Sequence, residues 1–106
     1  MQYARLKKSG DFQRLFIRGK KAYSRCLTVI YSPSKKGTVM GIALSKKHGK
    51  AVKRNRIKRL IRAAFSNNFD KLKGSYSLVV LPRVCEEYSY KEIEKSLVSC
   101  FGRMEG

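Results

Sequence analysis

Lys50-Ala-Val-Lys-Arg-Asn-Arg-Ile-Lys-Arg-Leu-Ile-Arg-Ala-Ala-Phe-Ser-Asn-Asn-Phe69 carries two interleaved helical series. Ile57, Leu60, Ile61 and Ala64 fall at i, i+3, i+4 and i+7, the spacing that gathers side chains on one helical face. Asn55, Lys58, Arg59 and Arg62 keep the same spacing, and at about 100° per residue their stripe is centred roughly opposite the apolar one. The run predicts a helix over residues 50–69 that packs on one side and presents guanidinium and ammonium groups on the other.

The segments around this helix read as strands. Ser77-Leu-Val-Val-Leu-Pro82 is too short for a helix and nearly all apolar, so it predicts a strand buried on both faces and ended by Pro82. Residues 26–31 and 38–45 are rich in β-branched and aromatic or aliphatic side chains, and Ser32-Pro33-Ser34-Lys35-Lys36-Gly37 between them has turn chemistry. Together they predict an antiparallel hairpin. Residues 19–25 offer a short edge strand. If the strand at residues 38–45 pairs in parallel with that at 77–82, the helix between them makes a βαβ crossover, which general statistics would make right-handed.

Two further helices close the pattern. Ser9, Gly10 and Asp11 open a short one with Phe12, Leu15 and Phe16 on its apolar side and Gly19 as its stop. Ser89-Tyr90-Lys91-Glu92 is a capping box, with Ser89 as N-cap and Glu92 at the third helical position. Ile93, Leu97, Cys100, Phe101 and Met104 then line one face. The expected fold is α+β, a two-layer sandwich in the order α-β-β-α-β-α. It forms a single domain over residues 1–106, without repeats or a linker.

The chain has 106 residues, with 25 Lys plus Arg against 7 Asp plus Glu and a formal net charge of +18 at pH 7. Residues 1–85 hold 22 basic and 2 acidic residues, so the basic surface belongs to the fold and not to a tail. Self-repulsion at this charge calls for a polyanionic partner. Solvated helix faces usually interleave both signs, yet no acidic residue occurs between Asp11 and Asp70. Lys53, Arg54 and Arg56 flank the polar stripe, and Lys46, Lys47 and Lys50 precede it. Such a helix suits phosphates. A helix-turn-helix would need a second helix a short turn before it, and none is predicted there, so RNA bound by phosphate contacts and shape fits better than DNA.

No apolar run reaches the roughly 18 residues of a membrane span, and the basic start is not followed by a signal-peptide core. A cytoplasmic protein with no membrane partner is expected. Cys26, Cys85 and Cys100 are odd in number and lack a C-x-x-C pair, which argues against a disulfide framework or structural zinc and predicts reduced, mostly buried thiols. Phosphodiester hydrolysis needs a general acid and base, or two metals on carboxylates. The chain offers one histidine, His48, and few carboxylates: Glu86 and Glu87 are adjacent in sequence, and Glu92 is expected in a cap. No catalytic residue is therefore assigned, and no metal-binding residue can be named. His48 reads as a loop residue before Gly49, with stacking on a base as the sharper alternative. Phe12 and Phe16 read as core on spacing alone. Tyr31 fits either face of its strand.

Gly41-Ile-Ala-Leu-Ser-Lys-Lys-His-Gly-Lys-Ala-Val-Lys-Arg-Asn-Arg-Ile-Lys-Arg-Leu-Ile-Arg62 resembles the signature of the bacterial ribonuclease P protein family, with its Arg-Asn-Arg helix and the Ser-Lys-Lys-x-Gly loop before it. The resemblance extends over nearly the whole chain, from Asp11-Phe12 through Leu81-Pro82-Arg83 to the closing helix. Where family members often carry an acidic or amide residue after the last arginine, this chain has Ala63. The resemblance implies a non-catalytic protein subunit of a ribonucleoprotein endonuclease. Its partners would be a catalytic RNA, which binds most of the Mg²⁺, and the 5′ leader of precursor tRNA; no obligate protein partner is evident. It implies a sheet of about four strands with a left-handed βαβ crossover, against the general rule. It also implies RNA binding by Lys46, Lys47, Lys50, Lys53, Arg54, Asn55, Arg56, Lys58, Arg59 and Arg62, and a leader cleft containing Phe12, Phe16, Lys46, Lys50 and Arg83. A ribosomal protein is the alternative that composition alone fits equally well, and a metal-dependent nuclease acting alone is disfavoured by the carboxylate count.

Overall fold

The apolar run at residues 77–82 lies at the centre of the sheet. The computed structural model describes residues 3–6, 9–35, 37–85 and 87–104, without the side chains of Ser9 and Asp11. The readings that fell on those two side chains, on Lys36 and on Glu86 therefore lie outside the described residues. In chain order the elements are β1 (Ala4–Arg5), α1 (Ser9–Arg18), β2 (Lys20–Tyr23), β3 (Leu27–Pro33), β4 (Val39–Ile42), a one-turn 3-10 helix (Lys46–His48), α2 (Ala51–Asn67), a second 3-10 turn (Phe69–Lys71), β5 (Tyr76–Pro82) and α3 (Tyr90–Arg103). The strand order is β1-β4-β5-β3-β2. β5 pairs parallel with β4 and antiparallel with β3, and Leu78, Val79 and Val80 are all buried, as a strand covered on both faces requires.

The expected hairpin between residues 26–31 and 38–45 does not form. β3 and β4 run in opposite directions, but β5 is inserted between them and bonds to both. A strand apolar on both faces is best placed centrally, so β5 displaces a local pairing that turn chemistry alone favoured. The hairpin that does form joins β2 to β3 through Ser24, Arg25 and Cys26, where the Ser24 hydroxyl and amide both donate to the Leu27 carbonyl. The proposed edge strand at residues 19–25 is thus β2. A fifth strand, β1, extends the expected four. It is two residues long and holds the edge of β4 through Ala4 N–H to Thr38 O and Leu6 N–H to Met40 O, each 3.0 Å.

Helices cover both faces, so the two-layer plan extends to a third, one-helix layer. Val29, Tyr31, Met40, Leu78 and Val80 face α2 and α3, whose Ile57, Ile61, Phe65, Ile93, Leu97 and Phe101 complete the main core. Strand alternation turns Ile30 and Val79 the other way, and Leu15 of α1 buries them there.

The β4–α2–β5 connection is left-handed. Met40 points its side chain to the α2 face while its carbonyl accepts the Leu6 amide of β1. For an L residue on a strand running upward with its side chain toward the viewer, N–H and C=O both point right, so β1 lies to the right of β4 and β5 to the left. With α2 in front, the chain returns one strand to the left. Ala43 agrees, because it faces the α1 side and donates its amide to Val80 of β5. The right-handed expectation from general statistics is corrected, and the hand implied by the resemblance stands.

α2 and α3 are clasped at the far end of the molecule. Asn68 Nδ2 donates to Ala64 O and to Glu94 Oε2, both at 2.9 Å, and Tyr90 O–H donates to Glu94 at 3.0 Å. The Asn68 bond, then the Tyr90 bond, hold the Glu94 carboxyl below its ordinary value. A lowered folded value means that this contribution is present at neutral pH and is lost as the carboxylate protonates in acid. Half of the expected capping box is present at the start of α3: Ser89 Oγ accepts the Glu92 amide at 3.3 Å. The Glu92 carboxylate lies instead 3.9 Å from the Cys26 thiol. The thiols also differ from expectation, since Cys100 is buried, Cys26 half-buried and Cys85 exposed. Burial pushes the Cys100 thiol up, keeping it protonated and unreactive.

Candidate nucleic-acid interface

The loop before α2 is a built structure. Ser45 Oγ accepts the Lys47 amide at 3.3 Å, and His48 Nδ1 accepts the Ser45 amide at 3.1 Å. With Nδ1 an acceptor, the ring proton sits on Nε2, which donates to the Pro82 carbonyl at 2.7 Å. His48 ends the 3-10 turn and is only 7% exposed, so it is not a platform for a base. Gly49 follows at φ 107°, a conformation that favours glycine, and passes the chain into α2. The result pins Lys46 and Lys47 to the end of β5, beside Arg83. Lys46, Lys47, Lys50 and Arg83 are all exposed there, and Arg83 Nη1 donates to the Arg25 carbonyl at 3.4 Å.

α2 distributes its basic residues over three directions. Arg54, Asn55, Lys58 and Arg62 turn toward the outer edge of β4, where they wall two adjoining cavities of about 380 and about 370 Å³. Phe12 lines both from the opposite side. The Nε of Arg54 is buried and has no hydrogen-bond partner among the described residues. Arg59 is exposed on the outer ridge with Asn55. Lys53 and Arg56 face the other way, toward Tyr88 and Glu87. Lys53 is engaged in structure: its Nζ donates to the Cys85 carbonyl at 3.2 Å and stands 5.9 Å over the Tyr88 ring. Tyr88 O–H donates to Arg83 O at 2.5 Å and accepts the Cys85 amide at 3.1 Å, with burial raising the phenol above its ordinary value. The ten basic and amide residues of the signature are therefore not one surface.

Phe12 and Phe16 sit differently. Phe12 is half-buried over Gly41 of β4, where a Cβ would approach its Cζ to 2.7 Å, so the ring needs glycine beneath it. Phe16 is 43% exposed. Arg14 and Arg18 lie roughly opposite Phe16 around α1 and overhang Ser32, Val39 and Ser77 at one end of the sheet face. Phe16 therefore flanks the other end, where register aligns Thr28, Leu81 and Ala43 in one half-exposed row. Arg83 follows β5 at this end of the sheet, and the Ser45–Gly49 turn is tied there by the His48–Pro82 bond. The residues of the expected leader cleft thus lie on α1, just after β5, and on or beside the Ser45–Gly49 turn. Tyr31 is on the opposite face, buried against Tyr76.

Tyr3 and Arg5 also line the groove at the β4 edge, and the sequence reading missed both. Tyr3 meets Phe65 edge-on at 4.6 Å and its hydroxyl bonds Ser66 at 3.1 Å, anchoring β1 to α2. A two-residue strand has no periodicity to betray it. No three His, Cys, Asp or Glu side chains converge as a metal site among the described residues. The described residues lining the groove include no carboxylate, so anions should stabilise the fold. The unfolding midpoint is expected to be higher in sulfate than in chloride at matched ionic strength, because a bound anion adds to screening. Equal midpoints would count against an anion-binding face.

The sequence profile of ribonuclease P matches residues 1–105. The chain belongs to the ribonuclease P protein family. The ribonuclease P protein component of Finegoldia magna is 36% identical over 95 residues, covering 89% of this chain and 84% of that protein. That of Bacillus cereus is 38% identical over 103 residues, covering 93% and 89%. The ribonuclease P protein of Thermotoga maritima superposes with a TM-score of 0.86 at 28% identity, over 96% of this chain and 98% of that one. The Staphylococcus aureus protein gives 0.81 at 31% identity, over 93% of each. Three helices on a mixed five-stranded sheet are thus the ribonuclease P protein fold.

Proposed function

We propose that this chain is the protein subunit of a ribonuclease P ribonucleoprotein that removes the 5′ leader of precursor tRNA endonucleolytically in the cytoplasm. The groove side of α2, with Arg54, Asn55, Lys58 and Arg62, and its ridge residue Arg59 bind the catalytic RNA through phosphates. The cleft of Phe12, Phe16, Lys46, Lys50 and Arg83 receives the single-stranded leader. The observation that supports this reading is the combination, in a ribonuclease P family chain, of an aromatic pair on α1 with a basic turn before α2 and a groove side of α2 whose described lining holds no carboxylate. Stacking platforms beside a positive groove are what single-stranded RNA requires. Hydrolysis belongs to the RNA and its Mg²⁺ in this reading, and the protein's residues bind and position. No helix among the described residues is long and apolar enough to cross a membrane.

The test is reconstitution. Mixed with a bacterial ribonuclease P RNA at low Mg²⁺, the purified chain should accelerate precursor cleavage, whereas the chain alone should cleave nothing. Changing Lys58, Arg59 and Arg62 together to Ala should flatten the salt dependence of RNA binding by up to about 2–3 units, if each neutralises one helical phosphate. Stability should barely fall, because all three lie outside the core. Failure to accelerate cleavage would point to another RNA, ribosomal RNA among them.

A further inference from the structure

α1 has a second flank, built differently from the first. Arg14 and Arg18, one helical turn apart, overhang a groove of about 540 Å³ at the end of the sheet face remote from Arg83. Its floor carries hydroxyls: Ser32 of β3 is the cross-strand partner of Ser77 of β5, which is also partnered by Val39 of β4, and Ser34 stands at the rim. The adjoining row of the same face, Gly41, Val79 and Ile30, is closed beneath Phe12 and Leu15. The polar row is left half-exposed.

Both arginines are exposed, and as like charges at i and i+4 they repel one another. No Asp or Glu among the described side chains lines the groove to relieve them. An anion lying between the guanidinium groups would, and the serine hydroxyls beneath it supply further donors. Among the described residues no aromatic ring lines this groove, in contrast to the Phe12 and Phe16 flank. The chemistry therefore suits a chain of phosphates and offers no platform for bases.

We propose that the Arg14–Arg18 groove is a second RNA site, which holds the phosphodiester backbone of a single-stranded segment without regard to sequence. α1 is then a ridge with RNA along both flanks, one stacking bases and the other gripping phosphates. This rests on the reading of the chain as an RNA-binding subunit, but not on the assignment of the leader to the aromatic flank.

The experiment measures binding of the full chain to a short unstructured RNA of mixed sequence across a potassium chloride series, with ¹⁵N amide spectra of the same complexes. Arg14→Gln with Arg18→Gln should remove up to about 1.4 from the salt slope, at roughly 0.7 per phosphate of a single strand. Arg14→Lys with Arg18→Lys should retain the slope. RNA should shift the Ser32, Ser34 and Ser77 amides in the parent chain and in Phe12→Ala with Phe16→Ala, but not in the glutamine pair. An unchanged slope in the glutamine pair, in protein whose circular dichroism is that of the parent, overturns the proposal. So do serine amides that do not respond to RNA, or that respond equally to polyglutamate of matched charge, which would indicate an acidic protein partner. If the phenylalanine pair binds RNA like the parent while the glutamine pair does not, the aromatic cleft is misassigned and this site stands.

Discussion

Phe12→Ala combined with Phe16→Ala is expected to weaken binding of a precursor tRNA with a leader of several nucleotides by at most about 2–6 kcal/mol, from two stacks at roughly 1–3 kcal/mol each. The lower part of that range is the expectation, because Phe12 also packs over Gly41 and part of its truncation is felt in folding. Phe16, 43% exposed, has little packing to lose, so its share should appear almost wholly in binding. Mature tRNA lacks the leader and should bind nearly as before. The chemical step at saturating precursor and high Mg²⁺ should persist, since neither ring is an acid, a base or a metal ligand. The measurement is a pair of dissociation constants, for precursor and for mature tRNA, on reconstituted complexes whose protein has been shown to fold. Equal losses for the two RNAs would return both phenylalanines to a packing role.

Which parts of this site could be read from the residues follows from how local each signal is. The α2 stripe was readable because helical period is written within four residues: Ile57, Ile61 and Ala64 are buried, and Asn55 and Arg59 are exposed, as their spacing demands. Strand β5 was readable because an unbroken apolar run needs cover on both faces. The partner of β3 was not, because adjacency in sequence suggested β4 while the double-sided burial of β5 decided the pairing. Handedness depends on which side of β4 receives β5, and no local pattern encodes that. His48 was misread for a related reason. Its partner Pro82 lies 34 residues away, and the loop composition around it, Ser-Lys-Lys-His-Gly, shows nothing of a buried acceptor. Lys53 illustrates the converse. Its charge counts toward an RNA-binding surface in the sequence, yet its ammonium is held by the Cys85 carbonyl and the Tyr88 ring.

His48→Ala should be the most damaging single change outside the main core. The ring ties the turn before α2 to the end of β5: Nδ1 accepts the Ser45 amide and Nε2–H donates to the Pro82 carbonyl, and the side chain is 7% exposed. Alanine removes both bonds and leaves a small void, with an orphaned donor at Ser45 and an orphaned acceptor at Pro82. At roughly 1–3 kcal/mol for each unsatisfied buried group, less whatever entering water restores, a loss of about 2–4 kcal/mol is expected. With about 4–8 °C per kcal/mol for a domain of this size, the melting midpoint should fall by roughly 10 °C or more. A functional consequence follows from what the ring holds. Lys46 and Lys47 are exposed on the turn that His48 ties to β5, and Arg83 is the residue after Pro82. Once that tie is cut, the three cations no longer keep a fixed spacing, so precursor binding should weaken more than mature tRNA binding even at temperatures where the variant is fully folded. His48→Phe restores volume without either hydrogen bond and should recover less than half of the lost stability if the bonds dominate. A His48→Ala midpoint within a degree or two of the parent, or full recovery by phenylalanine, would show that the ring is only filling space and that the turn holds itself.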